Sequence, residues 1–246
     1  MVKSILVIGA TSAIARATIR LFALEGARFF LVARSADKLE TLKQDLLARG
    51  AGDCHVMTKD LLDFSAHREI LDRAVEAMNV IDIVLIAHGT LGDQKECEKN
   101  YPLAEKEFCT NFLSVVSLLT IISEYFEPRK SGTIAVISSP AGERGRQSNY
   151  IYGAAKGALT VFLSGLRNRL YKNNVKVITI IPGFVDTPMT SGFPKGPLFV
   201  KPEVVAAGIH CAITKGKMVV YLPWFWRVIM LIIKMIPEAV FVRLKL

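Results

Sequence analysis

Seven short apolar, β-rich runs punctuate the chain: SILVIG (4–9), ARFFLVA (27–33), DCHVM (53–57), IDIVLIA (81–87), GTIAVIS (132–138), VKVITII (175–181) and KMVVYLP (217–223), with helix-length segments between them. Each reads as a continuous Val/Ile/Leu run and does not alternate, which is the mark of a strand buried on both faces. The pattern predicts a parallel sheet with helices above and below, wound by right-handed crossovers into a Rossmann-type, doubly wound α/β fold of about seven strands. No low-complexity linker interrupts it, so residues 1–222 are expected to form one domain, with 223–246 as a helical tail.

Two helical segments carry no clear polar face: NFLSVVSLLTIISEYF from Asn111, and GALTVFLSGL after Lys156. Such helices are buried under their own sheet or against another subunit, and a homodimer or homotetramer built on them is expected. Residues 188–202, rich in Pro and Gly, form the main irregular segment and stand where a substrate lid would be.

Composition sharpens the picture at one end of the chain. Of 246 residues 51% are hydrophobic, which is high for a core bathed only in water. The net charge of +9 is concentrated, since residues 215–246 hold Lys215, Lys217, Arg227, Lys234, Arg243 and Lys245 against Glu238 alone. A nucleic-acid groove would spread its cations along a face, so no nucleic-acid partner is expected. Cys54, Cys97, Cys109 and Cys211 are scattered, suggesting neither a metal site nor disulfides and fitting a reducing cytoplasm. Met1 runs straight into the first strand, and no export signal is expected.

The tail itself, WFWRVIMLIIKMIPEAVFVRLKL (224–246), begins with a helix-like stretch to Ile236. That stretch is about 20 Å long, short of the ~30 Å needed to span a bilayer. It has a broad apolar face, tryptophans at its start and basic residues at both ends. Such a segment can lie on an anionic membrane surface, placing the protein peripherally on its cytoplasmic face, or it can cover the substrate pocket or a neighbouring subunit.

Candidate chemistry sits at the ends of the strands. Gly9 opens a strand-to-helix turn, G-A-T-S-A-I-A, in which Thr11, Ser12, Ala13 and Ile14 could present backbone N–H groups to a pyrophosphate. Ala13 and Ala15 replace two glycines of the full dinucleotide pattern, so the turn alone fits an ordinary β-α connection equally. After the second strand stand Ala33, Arg34 and Ser35, with no carboxylate for a ribose hydroxyl. Arg34, with Lys38 one helical turn on, offers a charged fork to a 2′-phosphate, and NADP(H) is therefore preferred over NAD(H). Tyr152 and Lys156, at i and i+4, share one helix face, and Ser139 ends the strand just before that helix. Tyr150 lacks such a partner, since position 154 is alanine. Asn111 is a polar group near the start of an apolar helix.

From residue 3 to 222 this set resembles the short-chain dehydrogenase/reductases: the Gly9 turn, Asp60-Leu61, Ala87-His88-Gly89, Asn111, Ser139, Tyr152, Lys156 and P-G-F-V-D-T from Pro182 to Thr187. The resemblance implies an Asn-Ser-Tyr-Lys tetrad. Lys156 would make the Tyr152 phenol more acidic and bind the nicotinamide ribose; Ser139 would hydrogen-bond the substrate oxygen; Asn111 would hold a proton-relaying water. Hydride transfer to a carbonyl carbon would accompany proton transfer from Tyr152. Asp60 and Leu61 would flank the adenine, Pro182, Gly183 and Val185 the nicotinamide, and Thr187 its carboxamide. His88 reads as a cofactor-shell residue, and Ala87 departs from the asparagine usual there.

The tail, H-G-T-L and S-N-Y-I-Y-G-A-A-K together look like the branch that reduces a decaprenylphosphoryl 2-keto-pentofuranose, implying a lipid-linked keto-sugar as substrate. Two other readings are a reductase of hydrophobic carbonyls (3-ketoacyl, steroid or retinoid) and a non-catalytic NADP-sensing or scaffolding protein.

Overall fold

The computed structural model describes residues 2–244; Met1, Leu246 and Lys245, counted above among the tail's cations, lie outside them. All seven expected strands form: β1 (Ser4–Ile8), β2 (Arg28–Ala33), β3 (Asp53–Thr58), β4 (Ile83–Ile86), β5 (Thr133–Ile137), β6 (Lys176–Pro182) and β7 (Val219–Leu222). They make one parallel sheet in the order β3-β2-β1-β4-β5-β6-β7. The order reverses between β1 and β4, so the loops leaving their carboxyl ends diverge and open a crevice there.

Alternation along the central strands feeds two cores. Ile5, Val7, Phe29 and Leu31 pack under α1 (Ala13–Ala23) and α2 (Ala36–Ala48), while Leu6, Ile8, Phe30 and Val32 point the other way, against α3 (His67–Met78). Beyond α4 (Gln94–Lys99) and α5 (Tyr101–Phe108), the second face is completed by α6 (Ser114–Phe126) and α7 (Tyr150–Tyr171), and the first by α8 (Pro202–Lys215). Both apolar helices bury one face as expected, α6 through Leu118, Leu119, Ile122 and Phe126, and α7 through Leu159, Leu163, Leu166 and Leu170. Their other faces leave Leu113 and Val161 exposed.

The helix holding Asn111 differs from expectation. It starts ten residues earlier, at Tyr101, and α5 and α6 are joined by a π-helical turn, Cys109–Leu113, with Asn111 at its middle. The run Tyr101–Phe126 is long and apolar enough to cross a bilayer, but its α6 part packs into the core through Val115, Leu118, Leu119, Ile122 and Phe126.

After β7 the tail folds back as α9 (Trp226–Met235) and α10 (Glu238–Phe241), broken at Pro237. Trp226 and Met230, one turn apart, are buried, and each such side chain contributes about 1.5–3 kcal/mol to docking the tail. Arg144, in the loop before α7, caps the far end of α9: Nη1 donates to the carbonyls of Ile233 (2.7 Å) and Ile236 (2.6 Å), Nη2 to Glu238 (2.9 Å), and the guanidinium lies 3.8 Å from the Phe241 ring centroid. Trp224, Val228, Leu231, Ile232 and Met235 face outward. The covering role is thus realised by one side of the tail, while the other remains apolar and exposed.

Candidate active site

Every site residue named from the sequence lines one cleft of about 610 Å³ along the carboxyl ends of the strands. Its first part is built by β1 and α1. Gly9 has φ +80°, and a Cβ there would lie 2.5 Å from the His88 nitrogen, so only glycine lets the turn pass this close to the β4 loop. Ser12 makes no side-chain cap, which leaves the first-turn N–H groups of Ala13 and Ile14 directed at the cleft. Arg34 and Lys38 are exposed at the cleft's rim beyond β2, and the same wall continues through Asp60, buried Leu61, Ala87 and Gly89.

With the Ser114 hydroxyl donating to the Thr110 carbonyl (2.9 Å), His88 Nε2–H donates to Ser114 (2.8 Å). In that tautomer Nδ1 is a buried acceptor with no partner among the described residues. Burial first, then Lys156, pushes the imidazole down to about 3, so it stays neutral in the working range. This orphaned acceptor, the glycine cradle and the uncapped helix start are a donor and acceptor set that fits a nicotinamide dinucleotide.

Deeper in, β5 delivers two serines with separate tasks. Ser138 is tied to α7 through Thr160 Oγ1 (2.7 Å), whereas Ser139 caps the following turn and faces the cleft beside Tyr152. Lys156 is buried and donates to the Ile137 carbonyl (3.2 Å), with its ammonium 5.8 Å from the Tyr152 ring centroid. The electrostatics differ from the expectation that Lys156 acidifies the phenol. Burial pushes Tyr152 up to about 12, with Ser139 pulling it back, and burial pushes Lys156 down to about 8. For both groups desolvation is the largest cause, and Lys156 is not among the groups that shift the phenol.

The Asn111 side chain is committed to protein. Its Oδ1 accepts from the Thr90 backbone (3.2 Å), and its Nδ2 donates to the carbonyls of Thr90 (3.1 Å) and Glu107 (3.1 Å) and to Glu107 Oε2 (3.0 Å). It ties the loop after β4 to the π turn.

Pro182, Gly183, Val185 and Thr187 form the floor opposite α7. The buried indole of Trp226 lies against Gly183, occupying the space of a would-be Cβ. Sequence reasoning gave no role to several lining or supporting residues: Thr90, Asn149 and Phe184, which stood inside quoted motifs, and Glu107, Arg146 and Phe193. Only Glu107 carried a local signal, as an acidic residue one helical turn before Asn111.

The chain belongs to the short chain dehydrogenase family, which residues 3–197 match, and is an oxidoreductase of that family. Among its relatives are an uncharacterized oxidoreductase of Mycobacterium tuberculosis, 37% identical over 219 residues (89% of this chain, 88% of that protein), and one of Streptomyces coelicolor, 35% identical over 245 residues (98% and 96%). The fold is that of an actinorhodin polyketide ketoreductase crystallised with NADPH (TM-score 0.81, 23% identity, covering 89% of this chain and 95% of that one) and of levodione reductase (TM-score 0.82, 21% identity, 92% and 98%).

Proposed function

We propose that this chain is an NADP(H)-dependent reductase that turns a carbonyl into a secondary alcohol, with a lipid-linked keto-sugar as substrate. Ketoreductases among the proteins of like fold support the reaction, and Arg34 with Lys38 supports the cofactor. The bound cofactor supplies the hydride. Tyr152 then gives its proton to the substrate oxygen as negative charge develops there, and Ser139 orients that oxygen by a hydrogen bond. Lys156 holds positive charge beneath the phenol and binds ribose hydroxyls.

One observation carries the substrate class. Along the cleft Arg146 Nε, Asn149 Oδ1 and Trp226 Nε1 are buried without hydrogen-bond partners among the described residues, and Arg146 Nη2 meets the Met230 sulfur (3.3 Å). Each unmet polar group costs about 1–3 kcal/mol, which a hydrocarbon would leave standing and a sugar with an anionic link would offset. Glu143 partly balances the Arg146 charge. The apolar walls of Phe184, Met189 and Phe193 favour a second reading, reduction of a hydrophobic ketone.

The outward apolar side of α9, flanked by exposed Arg227 and Arg243 and by Lys234, whose ammonium pairs with Glu143, is proposed to rest on an anionic membrane surface. Deleting residues 224–246 should abolish flotation with anionic vesicles, and NADPH oxidation should be faster with a polyprenyl-phosphate keto-sugar than with 3-ketoacyl compounds. Equal flotation of both forms would remove the membrane role, and the reverse substrate order would favour the hydrophobic ketone. The exposed faces of α6 and α7 are proposed to pair two copies of the chain. Sedimentation should show a dimer or tetramer, and a monomer at all concentrations would exclude it.

A further inference from the structure

Glu107 is a buried carboxylate to which none of the roles above gives a task. It is only 7% exposed and, among the described residues, takes part in no salt bridge. Its Oε1 accepts from Thr90 Oγ1 (2.8 Å) and its Oε2 from Asn111 Nδ2 (3.0 Å). Two accepting oxygens are the arrangement of an ionised carboxylate. An isolated buried charge costs several kcal/mol, so its persistence calls for a counter-charge. Lys156 is positioned to supply it: a Cβ at Gly89 would lie 2.7 Å from Asn111 Oδ1 and 3.5 Å from Lys156 Nζ, so the Asn111 amide and the ammonium border the same side of Gly89.

We propose that Glu107 is a positioning residue of the reaction: across the Asn111 amide it provides the counter-charge of Lys156, and through Thr90 and Asn111 it locks the π turn against the β4 loop. The reading rests on the catalytic role proposed for Lys156. The electrostatics agree, because Glu107 favours the charged form of Lys156 against burial and disfavours ionisation of Tyr152. Other titratable groups face the pair from every side. His88 beyond β4 is neutral above about 3, Tyr152 on α7 keeps its proton to about 12, and Cys97 on α4 is held as a thiol by burial and by Glu107. Lys156, brought down to about 8, is thus the member of this group whose charge changes near pH 8.

Glu107→Gln removes the charge and keeps both hydrogen bonds, since the Thr90 hydroxyl can turn to accept. In the cofactor-free protein carrying lysine labelled with 13C at Cε, the Lys156 resonance, assigned by Lys156→Met, should titrate about one pH unit lower in E107Q than in the wild type. The alkaline limb of kcat/KM should move with it, and Glu107→Asp should restore both. A purely structural role would lower the rate evenly at all pH and leave the midpoint in place, which would overturn the proposal. If E107Q does not fold, E107D must keep the wild-type midpoint, and a displaced midpoint there would overturn it equally. Should the wild type reduce no carbonyl at all, the catalytic reading fails, and the titration still judges the pairing of Glu107 with Lys156.

Discussion

Replacing Tyr152 with phenylalanine should lower carbonyl reduction by about 10²–10⁴-fold, the usual worth of a positioned general acid, while NADPH binding followed by fluorescence changes less than about threefold. With its phenol pushed up to about 12, Tyr152 is fully protonated at neutral pH and is a donor matched to an oxygen turning into an alkoxide. The Ser139 hydroxyl cannot take over, because as an alcohol it is a far weaker acid, and Lys156 is aimed at the Ile137 carbonyl. A sign for pH follows from the same values. Lys156 is charged below about 8 and loses its proton above, so reduction should be flat below that point and decline beyond it, while alcohol oxidation, which needs the phenolate, should speed up as pH rises. Turnover of Tyr152→Phe within tenfold of the wild type would remove the general-acid role. Intact function in a non-catalytic assay would instead favour a sensing protein with the same fold.

The strands were legible because both sides of each central strand are buried, so β1, β2, β4 and β6 read as unbroken apolar runs with no competing helical period. The cleft was legible for a related reason: a parallel sheet brings the residues that follow its strands to one edge, and Gly9, Arg34, Asp60, His88, Ser139 and Pro182 all follow or end a strand. What escaped lay in geometry that local pattern does not encode. The π turn at Asn111 inserts a residue into the helical period, so the polar stretch Tyr101–Phe108 read as separate from the apolar one that follows it. Glu107 stands one turn before Asn111 among Glu105, Lys106 and other charged neighbours, and its burial against the β4 loop is a tertiary contact that this spacing does not reveal. Arg144 reaches partners about ninety positions away in the tail, a contact that no spacing rule anticipates. The balance between Tyr152 and Lys156 was misjudged because an i, i+4 pair reveals attraction, whereas the depth of burial that opposes it is a property of the whole fold.

Removing both cations at the end of β2, in the double variant Arg34→Ala with Lys38→Ala, should reduce the preference for NADPH over NADH by about 100-fold in kcat/KM at low salt. A charge-assisted hydrogen bond contributes about 1.5–3 kcal/mol, or roughly tenfold or more for each cation lost. Both side chains are exposed at the rim, so the lower end of that range applies and added salt should narrow the wild-type preference. NADH has no 2′-phosphate, and its KM should move little, which separates a lost phosphate contact from damage to the turn. Arg34 should account for most of the effect, because its planar fork can grip two phosphate oxygens while Lys38 acts as a point charge one helical turn away. Arg34→Asp carries the logic further: a carboxylate at the same place repels the 2′-phosphate and accepts from the 2′-hydroxyl of NADH, so the preference should invert. A wild type that uses NADH as well as NADPH, or an Arg34→Ala variant that loses both cofactors equally, would show that the rim cations do not read the phosphate.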